Sequence, residues 1–451
     1  MSAKDLQQAA PAVPGRSRTA ESGPDHAMIE RGHVNHVSEV AIAPPLAISG
    51  AGANHQSQGK AIDEPAGEEA IAIAVTADLV SLGDEWRRFQ QSADCTPFQT
   101  YEWLETWQRC IGDLGGVRPV IVTFRGNAGE LLMILPLTIE RKGLVRRLVF
   151  LGRGLCDFNG PLLHPRFPDV VPVERFRRLW ASTLREIARN CGHKPNLIVL
   201  DQMPARIGGQ ANPLIGLGSR PNPSASYVAT FCGNWDEFYT TRRSSGSRRR
   251  DRQRLRKFAE HGSVELVTAD GQGISETLEH LFTQKQRTFE RMGVDDLFAK
   301  PGYRSFFLEV AQSAPELVHV SQLSIGGKCA AANLGLMFHD CYYYVLISYD
   351  DGPLSRYGPG AAHLHKLMEF AISKGLKHFD FTIGDEGYKL DWADTKVDLF
   401  DHVGGRGLIG RSLAGAAIVG LTLKRAIKQS PRAWRYYSTM RARLKGGRSS
   451  R

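Results

Sequence analysis

No two cysteines of this 451-residue chain are spaced as CxxC; the seven, at 95, 110, 156, 191, 232, 329 and 341, are scattered and odd in number. Neither a zinc site nor a closed disulfide framework is expected, and a reducing compartment, the cytoplasm, fits best. GxSxG, HExxH and Walker-type loops are also missing, which excludes the commonest hydrolase, zinc-protease and nucleotide-triphosphatase signatures. The start, MSAKDLQQAAPAVPG, lacks an apolar run after its basic residue, so no secretory signal is expected. The most apolar stretch near the end, Leu413 to Leu423, is about half of what a membrane span needs. The expectation is a soluble protein or one attached to a surface. Acid is missing too: residues 402–451 hold twelve Lys or Arg and no Asp or Glu. Without them the net charge of +10 becomes 45 basic against 47 acidic residues, so the basicity belongs to the tail.

What is present suffices for large cores. Hydrophobic residues make up 42% and aromatics 9% of a chain too long for one ordinary core, so two packed units plus tails are expected. Residues 1–70, rich in Ala, Pro, Gly, Ser, Gln and His without apolar periodicity, read as a disordered tail. Order begins at the strand-like run Ile71 to Leu79. A first half over 71–235 then shows a helix at 98–112, a hairpin of strands at 117–124 and 130–140, and a strand at 147–152. A helix at 173–192, ended by Gly192, and a strand at 196–202 follow. A second half over 236–405 repeats the plan with helices at 278–293 and 303–314, a hairpin at 317–325 and 329–338, and a strand at 341–349. A helix at 361–375 and a strand at 377–384 close it. The remainder, 406–451, is a basic C-terminal helix and tail. The fold class is therefore α/β in the α+β sense: two tandem halves of mixed, mostly antiparallel sheet flanked by helices.

Two segments carry the chemistry. After the strand ending at Tyr349, DDGPLSRYGPGAAHLHKL turns through glycines straight into a helix. Successive N–H groups and the helix dipole can welcome an anion there, with Arg356, Tyr357, Gly358, Pro359 and Gly360 as its contacts; a plain strand-to-helix turn is the alternative. FDFTIGDEGYKLDW (379–392) sets Asp385, Glu386, Tyr388 and Lys389 just past a buried strand, where acid–base groups beside a cleft belong; a solvated loop is the alternative. His363 and His365, spaced i, i+2, do not share a helix face, so no metal pair is expected.

The linked run RYGPGAAHLHKLMEFAISKGLKHFDFTIGDEGYKLDW, with FQTYEWLETW, ELLMILPL and FLGRGLCDFNGPLL upstream, resembles the CelD/BcsL-type GNAT acetyltransferases, relatives of the Fem aminoacyltransferases. The resemblance covers roughly residues 80–400. It implies a duplicated GNAT fold whose second half holds acetyl-CoA or another acyl-CoA on residues 356–360, with no metal. By the same resemblance Tyr388 is a general acid, Asp385 or Glu386 assists deprotonation of an amine, and Lys389 stabilises charge on the thioester oxygen or a donor phosphate. One departure concerns the loop: family members typically read Q/R-x-x-G-x-G/A, whereas Ser355 leads here and Arg356 follows. Asp157 and Asn159 match an acidic turn that either lines the acceptor cleft or simply forms the turn. The acceptor implied is an amine-bearing small molecule or saccharide of cellulose or exopolysaccharide metabolism. A Fem-like transferase using aminoacyl-tRNA and a non-catalytic membrane-surface assembly protein are the rival readings.

Eight Arg and one Lys crowd 242–257. They form a solvated helix, a face for an anionic substrate, or a nucleic-acid surface; without base-reading aromatics no specific nucleic acid is expected. The helix and basic tail at 412–445 either pack on the domain or meet an anionic leaflet, placing the protein in the cytoplasm or at the inner face of a membrane.

Overall fold

The computed structural model describes residues 60–61 and 69–430. The expected disorder of 1–70 falls almost wholly outside the described residues, as does the basic tail beyond 430. The first half runs β1 (Lys60–Ala61), β2 (Ala72–Thr76), α1 (Leu79–Ser92), α2 (Tyr101–Trp107), β3 (Pro119–Arg125), β4 (Leu131–Lys142), β5 (Val145–Phe150), β6 (Leu162–Leu163), α3 (Phe167–Val170), α4 (Val173–Asn190), β7 (Leu197–Pro204), β8 (Arg206–Ile207), β9 (Gln210–Ala211) and β10 (Arg220–Thr230). The second runs α5 (Trp235–Arg242), α6 (Ser245–Ala259), β11 (Val264–Thr268), α7 (Gln272–Met292), α8 (Tyr303–Ser313), β12 (Val318–Ile325), β13 (Lys328–Phe338), β14 (Cys341–Tyr349), α9 (Pro359–Ser373), β15 (His378–Ile383), β16 (Thr395–Gly405) and α10 (Gly407–Gln429).

Fourteen strands join in one sheet of order β1-β2-β3-β4-β5-β7-β16-β10-β15-β14-β13-β12-β11, with β6 on β4. All neighbours are antiparallel except β5/β7 and β14/β15. Each half therefore builds a meander, crosses over through a helix (α4 or α9) and lays its next strand parallel to the last. The halves then exchange strands. β10, from the first, pairs with β15 of the second, and β16, from the second, pairs with β7 of the first; β10 and β16 meet at the centre.

Local chemistry explains most boundaries. The run begun at Ile71 stops at Thr76 because Asp78 caps α1, accepting from Ser81 N–H at 3.0 Å. α4 ends where Gly192 takes φ 71°, and α5 opens on a capping box of Asn234 and Glu237. β10 holds a central place despite Pro221 and Pro223, residues that cannot donate to a ladder. Its register against β16 shifts between Pro221 and Ala225, so the prolines occupy a bulge. The main core crosses from one half to the other: Trp103 of α2 meets Phe306 of α8 edge-on at 4.8 Å, and both are fully buried.

Candidate active site

A parallel strand pair that separates part-way along its length leaves an opening at the carboxyl ends. β14 and β15 pair only over Cys341–Tyr343 against His378–Asp380 and then diverge. At the point of divergence Thr382 adopts φ 55°, held by its N–H donating to Asp380 Oδ1 at 2.7 Å; the same oxygen accepts from Ser226 Oγ of β10 at 2.6 Å. The first half repeats this. β5 and β7 pair over two residues, and Gln202 on β7 takes φ 57°, its N–H donating to Asp401 Oδ1 at 2.9 Å. Among the described residues only Gln202, His339 and Thr382 are non-glycines with positive φ, so two of the three mark equivalent openings.

The second opening deepens into a cleft between β14, the start of α9 and the arginine-rich segment before and within α6. The glycine loop behaves as its sequence requires. Gly358 takes φ 74°, Pro359 is the first residue of α9, and Gly360 lines the cleft. Arg254 Nε donates to Tyr357 O at 2.9 Å, and a Cβ on Gly358 would stand 3.2 Å from that nitrogen. Arg356 is exposed, its guanidinium 4.9 Å above the Tyr357 ring, and Tyr357 in turn meets buried Phe258 edge-on.

Three arginines of the crowded run, Arg243, Arg250 and Arg254, line the cleft. Asp251, buried on α6, aligns two of them: Arg254 Nη1 approaches its Oδ1 at 2.8 Å and Arg243 Nη2 its Oδ2 at 3.4 Å, while Tyr239 donates to Oδ2 at 2.9 Å. Arg243 also stacks over Trp392 at 4.5 Å and pairs with Asp391 at 3.3 Å. The run is thus divided. One side faces the cleft, while Arg249, Arg252 and Arg256 are exposed, with no salt bridge among the described residues.

The expected acid–base residues separate. Tyr388 lines the cleft beside Tyr344, and neither hydroxyl has a protein partner among the described residues. Burial pushes both phenols up, Tyr388 well above its ordinary value, so each is a neutral donor. Asp385, Glu386 and Lys389 do not line the cleft. Lys389 is fully buried and donates to Thr382 O at 3.1 Å and Ile383 O at 3.2 Å, and it pairs with Glu386 at 3.0 Å. Those three contacts fasten the loop after β15. Burial lowers the Lys389 ammonium, with the charges of Glu386, Asp157 and Asp380 opposing. Asp385 is exposed, and its charge, after burial, helps raise the phenol of Tyr227. Asp157 and Asn159 are both buried. Asn159 Nδ2 donates to Asp201 O at 3.1 Å and its N–H to Gln202 O at 3.1 Å, tying their turn to β7.

The expected site residues did not include Arg243, Arg250 and Arg254, whose run had a substrate-facing reading among three, nor Tyr344. The burial of Lys285, which is not among the cleft's lining residues, was also unforeseen, and burial lowers it to about 8 against the pull of Glu386. The arginines had a signal, in that so dense a run borders a site more readily than a featureless surface. Lys285 had none, since a single lysine on an amphipathic helix reads as solvent-facing.

Buried histidines give the domain a pH dependence. Burial pushes His319, His363 and His365 down to about 4, 3 and 4 from 6.5. The unfolded chain takes up protons at these sites below pH 6.5, so their contribution to stability is full above that value and is lost as pH falls toward 4. Asp380 and Asp401 oppose this. Burial raises each from 3.8 to about 6, so the folded state binds their protons first. His402, lowered by burial, joins the histidines, and Asp201, raised by burial, joins the carboxyls, so near pH 5 the two sets oppose each other and the sign of the slope reports which prevails. Urea unfolding across this range measures the slope, and Asp380→Asn, which removes one opposing carboxyl, is expected to make stability fall more as the pH drops from about 6 to about 4.

Residues 245–390 match the acetyltransferase (GNAT) domain family. No curated protein matches the chain in sequence. Among solved structures the chain resembles FemX, with a TM-score of 0.51 at 14% identity, covering 71% of this chain and 96% of that one. It also resembles L-PGS from Bacillus licheniformis (TM-score 0.46, 14% identity, 79% and 99% covered) and a tandem GNAT protein from the clavulanic acid pathway (0.39, 12%, 75% and 99%). The matched stretch gives the class of the second half, a domain of the GNAT acetyltransferase type, and the FemX likeness bears on the fold alone.

Proposed function

We propose that the protein transfers an acetyl or longer acyl group from coenzyme A to an amine, the acceptor being an amino sugar or polysaccharide precursor. The observation that carries this is the cleft itself. A helix N-terminus reached through a left-handed glycine, three convergent arginines and two unpartnered tyrosine hydroxyls share one opening between diverging strands. Arginines and N–H groups suit the donor's phosphates, and the unpaired stretch of β14 suits its extended amide arm. The amine nitrogen attacks the thioester carbonyl, the C–S bond breaks, and the amine's surplus proton passes to water or the leaving sulfur. Tyr388 hydrogen-bonds that sulfur. Its raised phenol is a poor source of a free proton, so it stabilises the leaving charge as a donor, and positioning supplies much of the rate. The saccharide acceptor rests on the family resemblance.

Titration calorimetry with acetyl-CoA and longer acyl-CoAs, followed by thiol release in the presence of simple amines and glucosamine, tests the reading. Binding and acceptor-dependent thiol release are expected; no binding to any acyl-CoA overturns it. Tyr388→Phe is expected to lower kcat about 10- to 100-fold with KM for the donor little changed, read by the same thiol assay.

One observation favours a second donor. The exposed, unbridged Arg249, Arg252 and Arg256 lie at i, i+3 and i+7, a single stripe on the helix that borders the cleft. A polyanion such as aminoacyl-tRNA would track such a stripe. That reading requires tRNA affinity which falls steeply with salt and is lost in the triple Arg→Ala variant, with no response to acyl-CoA.

A further inference from the structure

We propose that α10 is an interfacial helix that docks the protein onto an anionic lipid bilayer, lying in the membrane plane with its outer face in the headgroup region. The sequence shows an apolar run over 413–423, and the structure extends it. The helix runs Gly407–Gln429, and its Gly407–Ile427 stretch is long and apolar enough to cross a membrane, with a mean hydropathy of 1.2. Only 11% of that window is buried inside the protein.

How those residues divide around the helix matters more than their sum. One side, with Ala414 buried and Leu413, Ala417, Ile418 and Leu421 half-buried, sits over β7, β10 and β16 at the middle of the sheet. The first turn is pressed home: a Cβ on Gly410 would fall 2.0 Å from Asn196 O, and one on Gly405 2.2 Å from Gly410 O. The opposite side should then be charged, as on an ordinary surface helix. Instead Leu408 (87% exposed), Ser412, Ala416, Val419 (67%), Leu423 (59%) and Ala426 follow one another at helical spacing without a charge among them. Of the basic residues on this helix Arg411 is exposed beside the stripe, while Lys424 and Arg425 are half-buried on the sheet-facing side, where the charge of Lys424 draws on Asp401.

Charge complementarity identifies the occupant. Over 402–451 the chain has twelve basic and no acidic residues, and seven of the twelve follow Pro431 together with Trp434, Tyr436 and Tyr437. An apolar stripe with Arg411 beside it, followed by a sequence whose only charges are positive, matches a surface that is greasy beneath and anionic above, which is a leaflet containing acidic phospholipid. A transmembrane arrangement would strip the inner face from three strands, so the helix lies flat.

Co-flotation of the full-length protein with vesicles of phosphatidylglycerol and phosphatidylcholine in equal parts tests the inference. Binding is expected, weakened by salt and weaker still on pure phosphatidylcholine. The double variant Val419→Glu/Leu423→Glu touches neither the cleft nor the sheet. It is expected to keep the wild-type circular dichroism and donor binding while losing vesicle affinity by about tenfold or more. Three results would overturn the proposal. The wild type could fail to float with anionic vesicles, the variant could bind them equally well, or the wild type could be a dimer that the variant splits, in which case a second copy covers the stripe.

Discussion

Gly360→Trp is expected to abolish acyl-CoA binding, weakening it at least about 100-fold, a loss of about 2.7 kcal/mol. Gly360 is the second residue of α9, half-buried on the wall of the cleft, and its φ is not positive, so a larger residue fits its backbone. Gly358 is a poorer choice, because its φ of 74° and the nearby Arg254 nitrogen would strain any side chain. An indole at 360 occupies the space through which a phosphate must reach the N–H groups of the first turn, while tryptophan tolerates a helix better than glycine does. Arg254→Ala in parallel removes one charge and the brace on Tyr357, and a smaller loss is expected. If Gly360→Trp binds acetyl-CoA as the wild type does, the donor does not lie on this loop. Unchanged urea midpoints in both variants would show that the losses belong to the site.

Lys389→Met should cost about 3–5 kcal/mol of stability, the penalty for leaving a buried partner uncompensated. The ammonium is fully buried, binds two carbonyls at the end of β15 and neutralises Glu386. Methionine fills much of the volume and satisfies none of these groups. A urea midpoint far below wild type is expected, partly restored when Glu386→Gln removes the stranded charge. A variant as stable as the wild type with lost turnover would instead make Lys389 a catalytic residue, as the family resemblance implies.

These two residues show how far the sequence could be read. The span Cys341–Tyr349 coincides with the run read as a strand, because a stretch rich in tyrosine and β-branched residues between a turn and a glycine loop allows little else. Gly358 and Pro359 likewise announce a turn into a helix. Composition hid β10: RPNPSASYVAT has two prolines and few large apolar residues, and becomes a strand only because β15 and β16 flank it, with the prolines absorbed in a bulge. The strand-like run Ile71 to Leu79 overlaps α1 only at its first residue, and Asp78, which caps the helix, is what divides the two. The burial of Lys389 was invisible for the same kind of reason: a lysine in a polar loop reads as solvated until two carbonyls and Glu386 surround it. Arg254 faces the cleft while Arg252 faces solvent, a division that depends on how α6 is rolled against α9, and tertiary contacts set that roll.

The crossed placement of β10 and β16 makes the two halves a clasp. A cut in the connection after Thr230 would sever the chain without freeing either piece, since each would still hold a strand seated in the other's sheet. Expressed separately, each piece would expose the bare edge of its parallel strand, β7 or β15, a ready template for aggregation. The two openings so built cannot drift apart through a flexible linker, and any motion that widens one must pass through the central strand pair shared by both.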